Sequence, residues 1–227
     1  MKKIILFLLL STGLMFGQEY TATKVNGNVK YLSGGNENWV ELKAGETIKQ
    51  GAVLSTGSNS SITLRSNNLH FTLNESSAIS VSSIKEMSTD ELLLALAMED
   101  MINAPKNNGN GKSGNTAVYG TDENNNDKLE FATDEFGIKR LNGAMQLAKS
   151  DMKESAVVVA RETFRKYPDT KLLSSYKIFF ADILFEKGLY NEAFEEFNEI
   201  AELDLNDEEK LKVDEKTETI KKILLSN

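Results

Sequence analysis

The apolar residues of this chain change period partway along, and that change bounds what the chain can fold into. Between Tyr20 and Ile84 they alternate with polar residues. Ser61-Ile62-Thr63-Leu64-Arg65 and Leu69-His70-Phe71-Thr72-Leu73 place Ile62 and Leu64, then Leu69, Phe71 and Leu73, on one face each, and Ile79 with Val81 repeats the pattern. A two-residue period is that of a half-buried strand. After Asp127 the spacing becomes helical, with Ile138, Leu141, Met145 and Ala148 on one stripe and Ala156, Val159, Ala160, Thr163 and Phe164 on the next. One regular element cannot carry both periods. The expected fold is therefore α+β and multidomain, with an all-β N-terminal region followed by an all-α region. At 227 residues and 40% hydrophobic content, each part can build a core.

The β region, without proline and rich in Thr, Val, Ser and Gly, predicts a compact sandwich or barrel-like domain. Asn67-Asn68 sits at the two-residue spacing of a hairpin turn, and asparagine tolerates the left-handed conformation such a turn needs. Gly45, Gly51 and Gly57 recur every six residues and predict turns between short extended pieces. The spacing Gly27-x-Val29, then Trp39-Val40-x-Leu42-x-x-Gly45-x-x-Ile48-x-x-Gly51-x-x-Leu54-x-Thr56-Gly57-x-x-Ser60-x-Ile62-x-Leu64, resembles the FecR-like domain of bacterial envelope proteins. That resemblance covers roughly a quarter of the chain and implies a periplasmic module of signal transducers and other exported proteins. A sigma regulator of that type, as the family implies, has a cytoplasmic segment and membrane helix first. Here the domain follows an export-like N-terminus directly, which argues against transmembrane signalling by this chain alone.

That N-terminus consists of Lys2 and Lys3, the apolar run Ile4–Leu10, and then Ser11-Thr12-Gly13 and Met15-Phe16-Gly17. This is the layout of a secretory signal peptide, expected over residues 1–17, and the run is short of the ~20 residues that span a bilayer. The expected location is periplasmic or secreted. With no cysteine in the sequence, lipid acylation, disulfides, thiol catalysis and Cys-ligated metals are excluded. The net charge of −8 becomes −10 without Lys2 and Lys3, and −9 of that falls after residue 90. Nucleic acid and anionic lipid are thereby disfavoured as partners, because both need clustered Lys and Arg. No stable membrane insertion is expected after signal cleavage.

Ser88-Thr89-Asp90-Glu91 offers helix caps before Leu92–Met98, predicting a helix over 89–103 that ends before Pro105. Being apolar on most sides, it is expected to pack on the β domain, with an exposed interaction helix as the alternative. Residues 104–115 read as mobile, and Thr116–Thr121 resembles the strand that FecR-like proteins carry after the main repeat. The β domain is accordingly placed at 20–121 with the helix inserted, and residues 122–133 form a linker. Gly111-Lys112-Ser113 lacks the earlier glycine of a phosphate loop, where Lys106 stands. Asp122-x-Asn124-x-Asn126 lacks the turn glycine and terminal Glu of a calcium loop, having Asp127 and Thr133 there.

Residues 134–227 predict paired helices, with Pro168 closing the first pair, Gly188 between helices 170–187 and 190–203, and a last helix from Asn206-Asp207 to about Leu225. Gly188-x-Tyr190-x-x-Ala193-x-x-x-Phe197, with Ala181 and Leu184 before it and Ala144 and Ala156 at the equivalent small positions, resembles the tetratricopeptide (TPR) repeat. Lys177 replaces the repeat's tryptophan and Leu205 its proline. In such repeats the first helix of each pair lines the concave face, which implies a partner groove at Tyr176, Lys177 and Phe180.

No catalytic set stands out. His70, the single histidine, is out of phase with its apolar neighbours and should face solvent. Glu195, Glu196 and Glu199 have helix-surface spacing, and no Gly-x-Ser-x-Gly occurs. Neither cofactor nor metal is expected. The function expected from the sequence is that of a non-enzymatic adaptor or scaffold of the bacterial envelope with a protein or peptide partner. The alternatives are a regulatory part of a sigma-factor pathway, a structural accessory of a secretion system or periplasmic flagellum, or cell-wall glycan binding through a β-domain surface around Trp39.

Overall fold

A computed structural model describes residues 19–33, 38–66, 69–103 and 133–226. The expected signal peptide, the 104–115 segment, the Thr116–Thr121 strand and almost all of the linker lie outside these residues.

Eight strands form two antiparallel four-stranded sheets. They are β1 (Glu19–Asn26), β2 (Val29–Leu32), β3 (Val40–Glu41), β4 (Thr47–Lys49), β5 (Val53–Thr56), β6 (Ser61–Ser66), β7 (Leu69–Leu73) and β8 (Ala78–Ser80). The first sheet has the order β4-β1-β6-β7 and the second β3-β2-β5-β8. The alternation read from the sequence sets the inner faces. Ile62, Leu64, Phe71 and Leu73 are at most 1% exposed, while His70 faces solvent as expected. Ser66 pairs with Leu69, so the β6–β7 register closes over two residues, Asn67-Asn68 themselves lying outside the described ones. In β1 the pairing with β6 slips between Ala22 and Lys24, and this bulge brings Val25 opposite Ile62. Of the three regularly spaced glycines only Gly45 has a left-handed backbone, at φ +89°; Gly51 and Gly57 do not. Turns do fall at Gly45 and Gly51 and just after Gly57, so the expected punctuation is present although only Gly45 uses the conformation special to glycine.

Six α-helices lie among the described residues: α1 (Thr89–Asn103), α2 (Asp134–Lys149), α3 (Lys153–Lys166), α4 (Ser174–Glu186), α5 (Tyr190–Ala201) and α6 (Asp207–Ser226). Their starts follow local chemistry. Ser88 and Glu91 form a reciprocal capping box at α1, the Glu91 amide donating to Ser88 Oγ and the Ser88 amide to Glu91 Oε2 at 2.8 Å. Asn206 and Glu209 do the same at α6. Pro168 opens a short 3-10 turn, Pro168–Leu172, rather than simply ending α3. Gly188 turns the chain between α4 and α5 at φ +76°.

The hydrophobic core runs from the sheets into the helices as one cluster, which includes Tyr20, Ile62, Leu64 and Phe71 together with Leu141, Ala156, Phe180 and Phe197. Helix α2 makes the junction. A Cβ at Gly143 would stand 2.2 Å from the Ala78 carbonyl oxygen, so only glycine lets the helix backbone reach β8. Beside it, Asn142 Nδ2 donates to the Ser76 carbonyl at 2.8 Å, and Gln146 accepts from the Asn74 amide and donates to Ser77 Oγ. In α2 the expected stripe is rotated: Leu141 and Ala148 are buried, but Ile138 is exposed and Phe136, Ala144 and Leu147 take the core. The α3 stripe is buried as expected.

Candidate functional site

The three groove residues expected on α4 do not line an open groove. Lys177 is 6% and Phe180 4% exposed. Phe180 packs edge-on against Phe164 of α3 and against Phe179, with ring centroids 6.4 and 5.1 Å away. Tyr176 is half-buried and donates its hydroxyl to Asn142 Oδ1 at 2.6 Å; burial raises its pKa above the ordinary tyrosine value. The physical reason is neighbours on every side. Helix α3 covers one flank of α4 and α5 another, while α6 closes a third, where Lys212 and Lys216 reach Asp182 at 2.5 and 3.0 Å. Between α3, α4 and α5 a crevice with about 10 Å³ of interior room, lined by Phe164, Phe180, Arg161, Lys177 and Glu196, can hold about one water.

Trp39 is also not a surface platform. It is 9% exposed and packs with Phe136 at 6.2 Å, which in turn meets Tyr167 at 6.3 Å. The first turn of α2 and the residue before the Pro168 turn cover the face that the β region alone would have exposed.

Helix α1 departs from expectation in the opposite direction. Its chief packing partner is α3, in the helical half, and not the sheets. Leu92 and Leu96 point into the core, at 0% and 4% exposure. On the other side Leu94 is 62%, Met98 56% and Met101 79% exposed, three of the eight large apolar residues exposed among the described residues. Their spacing of four and three residues puts them on one face, with exposed Ala97 beside them and Asp90 and Glu91 one turn earlier. Helix α1 thus packs chiefly on α3, not on the β domain as expected, and leaves one apolar face exposed.

Beyond the burial of Leu92 and Leu96, ion pairs hold α1 in place. Glu99 accepts from Arg161 Nε of α3 at 3.1 Å, and the same guanidinium bonds Glu196 of α5. Glu196 lies 3.7 Å from Lys177, whose ammonium donates to Glu199 at 2.9 Å. Burial opposes the charge of Arg161, but Glu196 and Glu99 outweigh that and keep its pKa above the usual guanidinium value. One arginine thus ties α1, α3 and α5 together. Helix-surface spacing concealed this for Glu196, whose side chain is 12% exposed. The missed signal was the Leu94, Met98 and Met101 stripe, visible in sequence only as part of a helix apolar on most sides.

Among the described residues no three His, Asp or Glu side chains gather as metal ligands, and no helix is long and apolar enough to cross a membrane. Comparison with family models, curated proteins and solved structures gave no match. What the fold and site define is an α+β protein with two antiparallel sheets, a helical C-terminal region, and an apolar helix face open to solvent.

Proposed function

We propose that the chain is an exported, non-enzymatic interaction adaptor of the bacterial envelope, and that α1 is its docking helix. The observation that carries this reading is the Leu94, Met98 and Met101 face, which is exposed yet fixed to two other helices through Arg161. Contiguous apolar surface on a folded domain marks interaction sites. A helix that is already held in place loses less entropy on binding than one that must order first. Export rests on the signal-like residues 1–17, and the envelope setting on the FecR-like spacing of residues 27–64. The helical half is read as TPR-like. Ala144, Ala156, Ala181 and Ala193, at most 1% exposed, support this because the repeat needs short side chains where its helices touch.

The test is site-specific photo-crosslinking in cells from position 98, with an equivalent probe at exposed Glu195 as control. Discrete adducts from position 98 in the envelope fraction, lost on Leu94→Gln with Met101→Gln, are expected. A chain retained in the cytoplasm, or adducts no different from the control, would overturn the proposal.

A further inference from the structure

We infer that the exposed face of α1 receives a basic amphipathic helix of a partner protein; this rests on the adaptor reading above and names the partner's chemistry. Leu94, Met98 and Met101 occupy the i, i+4 and i+7 positions by which one helix reads another, and Ala97 leaves a dip beside them. Two of the three anchors are methionine, whose unbranched thioether adjusts to differently shaped apolar side chains.

Charge decides the kind of helix. Helix α1 carries Asp90, Glu91, Glu99 and Asp100 and no Lys or Arg. Asp90 and Glu91 are exposed on the same face as the stripe, and Glu91 is held ionised by the Ser88 amide and hydroxyl. Glu99 is taken up by Arg161 and faces Arg165 at 3.9 Å. Just before the helix, exposed Lys85 acts electrostatically on Glu91, and exposed Glu86 beside it brings the local sum of Lys85 and Glu86 to zero. At the other end the last turn has no basic residue, so the negative pole of the helix dipole has no counter-charge within α1. A partner with Lys or Arg flanking its apolar stripe complements both ends.

A second copy of this chain fits less well. Parallel pairing of two α1 helices along the stripe would set Asp90 and Glu91 of one copy against Asp90 and Glu91 of the other, and like charges facing each other repel. An anionic membrane surface would meet the same repulsion.

The mature full chain is titrated into three fluorescein-labelled 14-residue model peptides of one amphipathic pattern, Leu/Lys, Leu/Gln and Leu/Glu, with anisotropy as the readout. Expected is Leu/Lys binding at least about tenfold tighter than Leu/Gln, weakening as NaCl rises. The double variant Met98→Gln with Met101→Gln should lower Leu/Lys affinity about tenfold at unchanged melting temperature. Equal binding of all three peptides, lost in the variant, would overturn the charge assignment and leave α1 as a docking face. Absence of binding, or equal binding by the variant, would remove α1 as the docking face altogether. Sedimentation showing a dimer that the variant dissociates, or binding only to phosphatidylcholine vesicles, would overturn the inference in favour of those occupants.

Discussion

Helices α1 and α4 have the same kind of sequence and opposite fates. Both are apolar on most sides, TDELLLALAMEDMIN in one and SSYKIFFADILFE in the other. Helix α4 lies among α3, α5 and α6 and buries even a lysine, whereas α1 lies chiefly on α3 and leaves Leu94, Met98 and Met101 in solvent. The hydrophobic effect favours burial of both, but burial needs a neighbour, and topology supplies neighbours unequally. In a helix apolar all round, composition does not identify the face that remains free to bind.

The sharpest way to break this contrast is at Phe180. Truncation to Ala inside the α3–α4 packing should cost about 3–5 kcal/mol, read as a lower urea midpoint. A loss under about 1 kcal/mol would mean that α4 is not enclosed as described.

Arg161 tests what ties α1 to α3 and α5. Arg161→Met keeps length but leaves Glu99 and Glu196 without their shared partner. A fully buried pair broken on one side costs about 3–5 kcal/mol; with the Arg161 side chain 25% exposed, about 1–3 kcal/mol is expected. Amide hydrogen exchange should show α1 losing protection more than α4.

Tyr176→Phe removes one hydrogen bond between α4 and α2 and should cost about 1 kcal/mol. It also probes pH. Burial raises the pKa of Tyr176 in the folded chain, as it does those of Tyr20 and Tyr167, so their contribution to stability is complete below the unfolded value of about 10 and is lost as pH rises through the folded pKa. The phenylalanine variant should therefore show a smaller alkaline loss in pH-dependent melts.

The cap of α1 has the opposite sign. The Ser88 amide, then its hydroxyl, holds the Glu91 carboxyl below its ordinary pKa, so the stability it gives is present above the unfolded value of about 4.3 and lost as pH falls through the folded one. Glu91→Gln should flatten the acid side of the helical circular-dichroism titration and leave the alkaline side unchanged. Smallest of all is Met98→Gln: exposed and without a core role, it should change stability by less than about 0.5 kcal/mol in the same urea assay that registers Phe180→Ala.

Much of the fold was legible because it is local. Strand alternation at 61–65 and 69–73, the Ser88–Glu91 capping box, the α3 stripe and the exposure of His70 follow from period and nearby hydrogen bonding alone. The candidate site was not. Trp39 looked available because its cover, Phe136 and Tyr167, comes from about a hundred residues further along. Tyr176, Lys177 and Phe180 looked like a groove because nothing in their own helix announces that α2, α3 and α5 take them up. Glu196 read as surface because its partner Arg161 lies on another helix.

By itself the sequence determined the β-then-α order, the bounds of α1, of the helices after residue 170 and of the 61–65 and 69–73 strands to within a few residues, the faces of those strands and the helix caps, all of them interactions between residues close in the chain. Tertiary structure alone decided that the sheets and helices share one core through the contact of Gly143 with Ala78, and that α1 keeps an apolar face open. Those outcomes depend on which surfaces meet across long stretches of chain, and a single helix or strand does not encode the shape of the neighbour it will find.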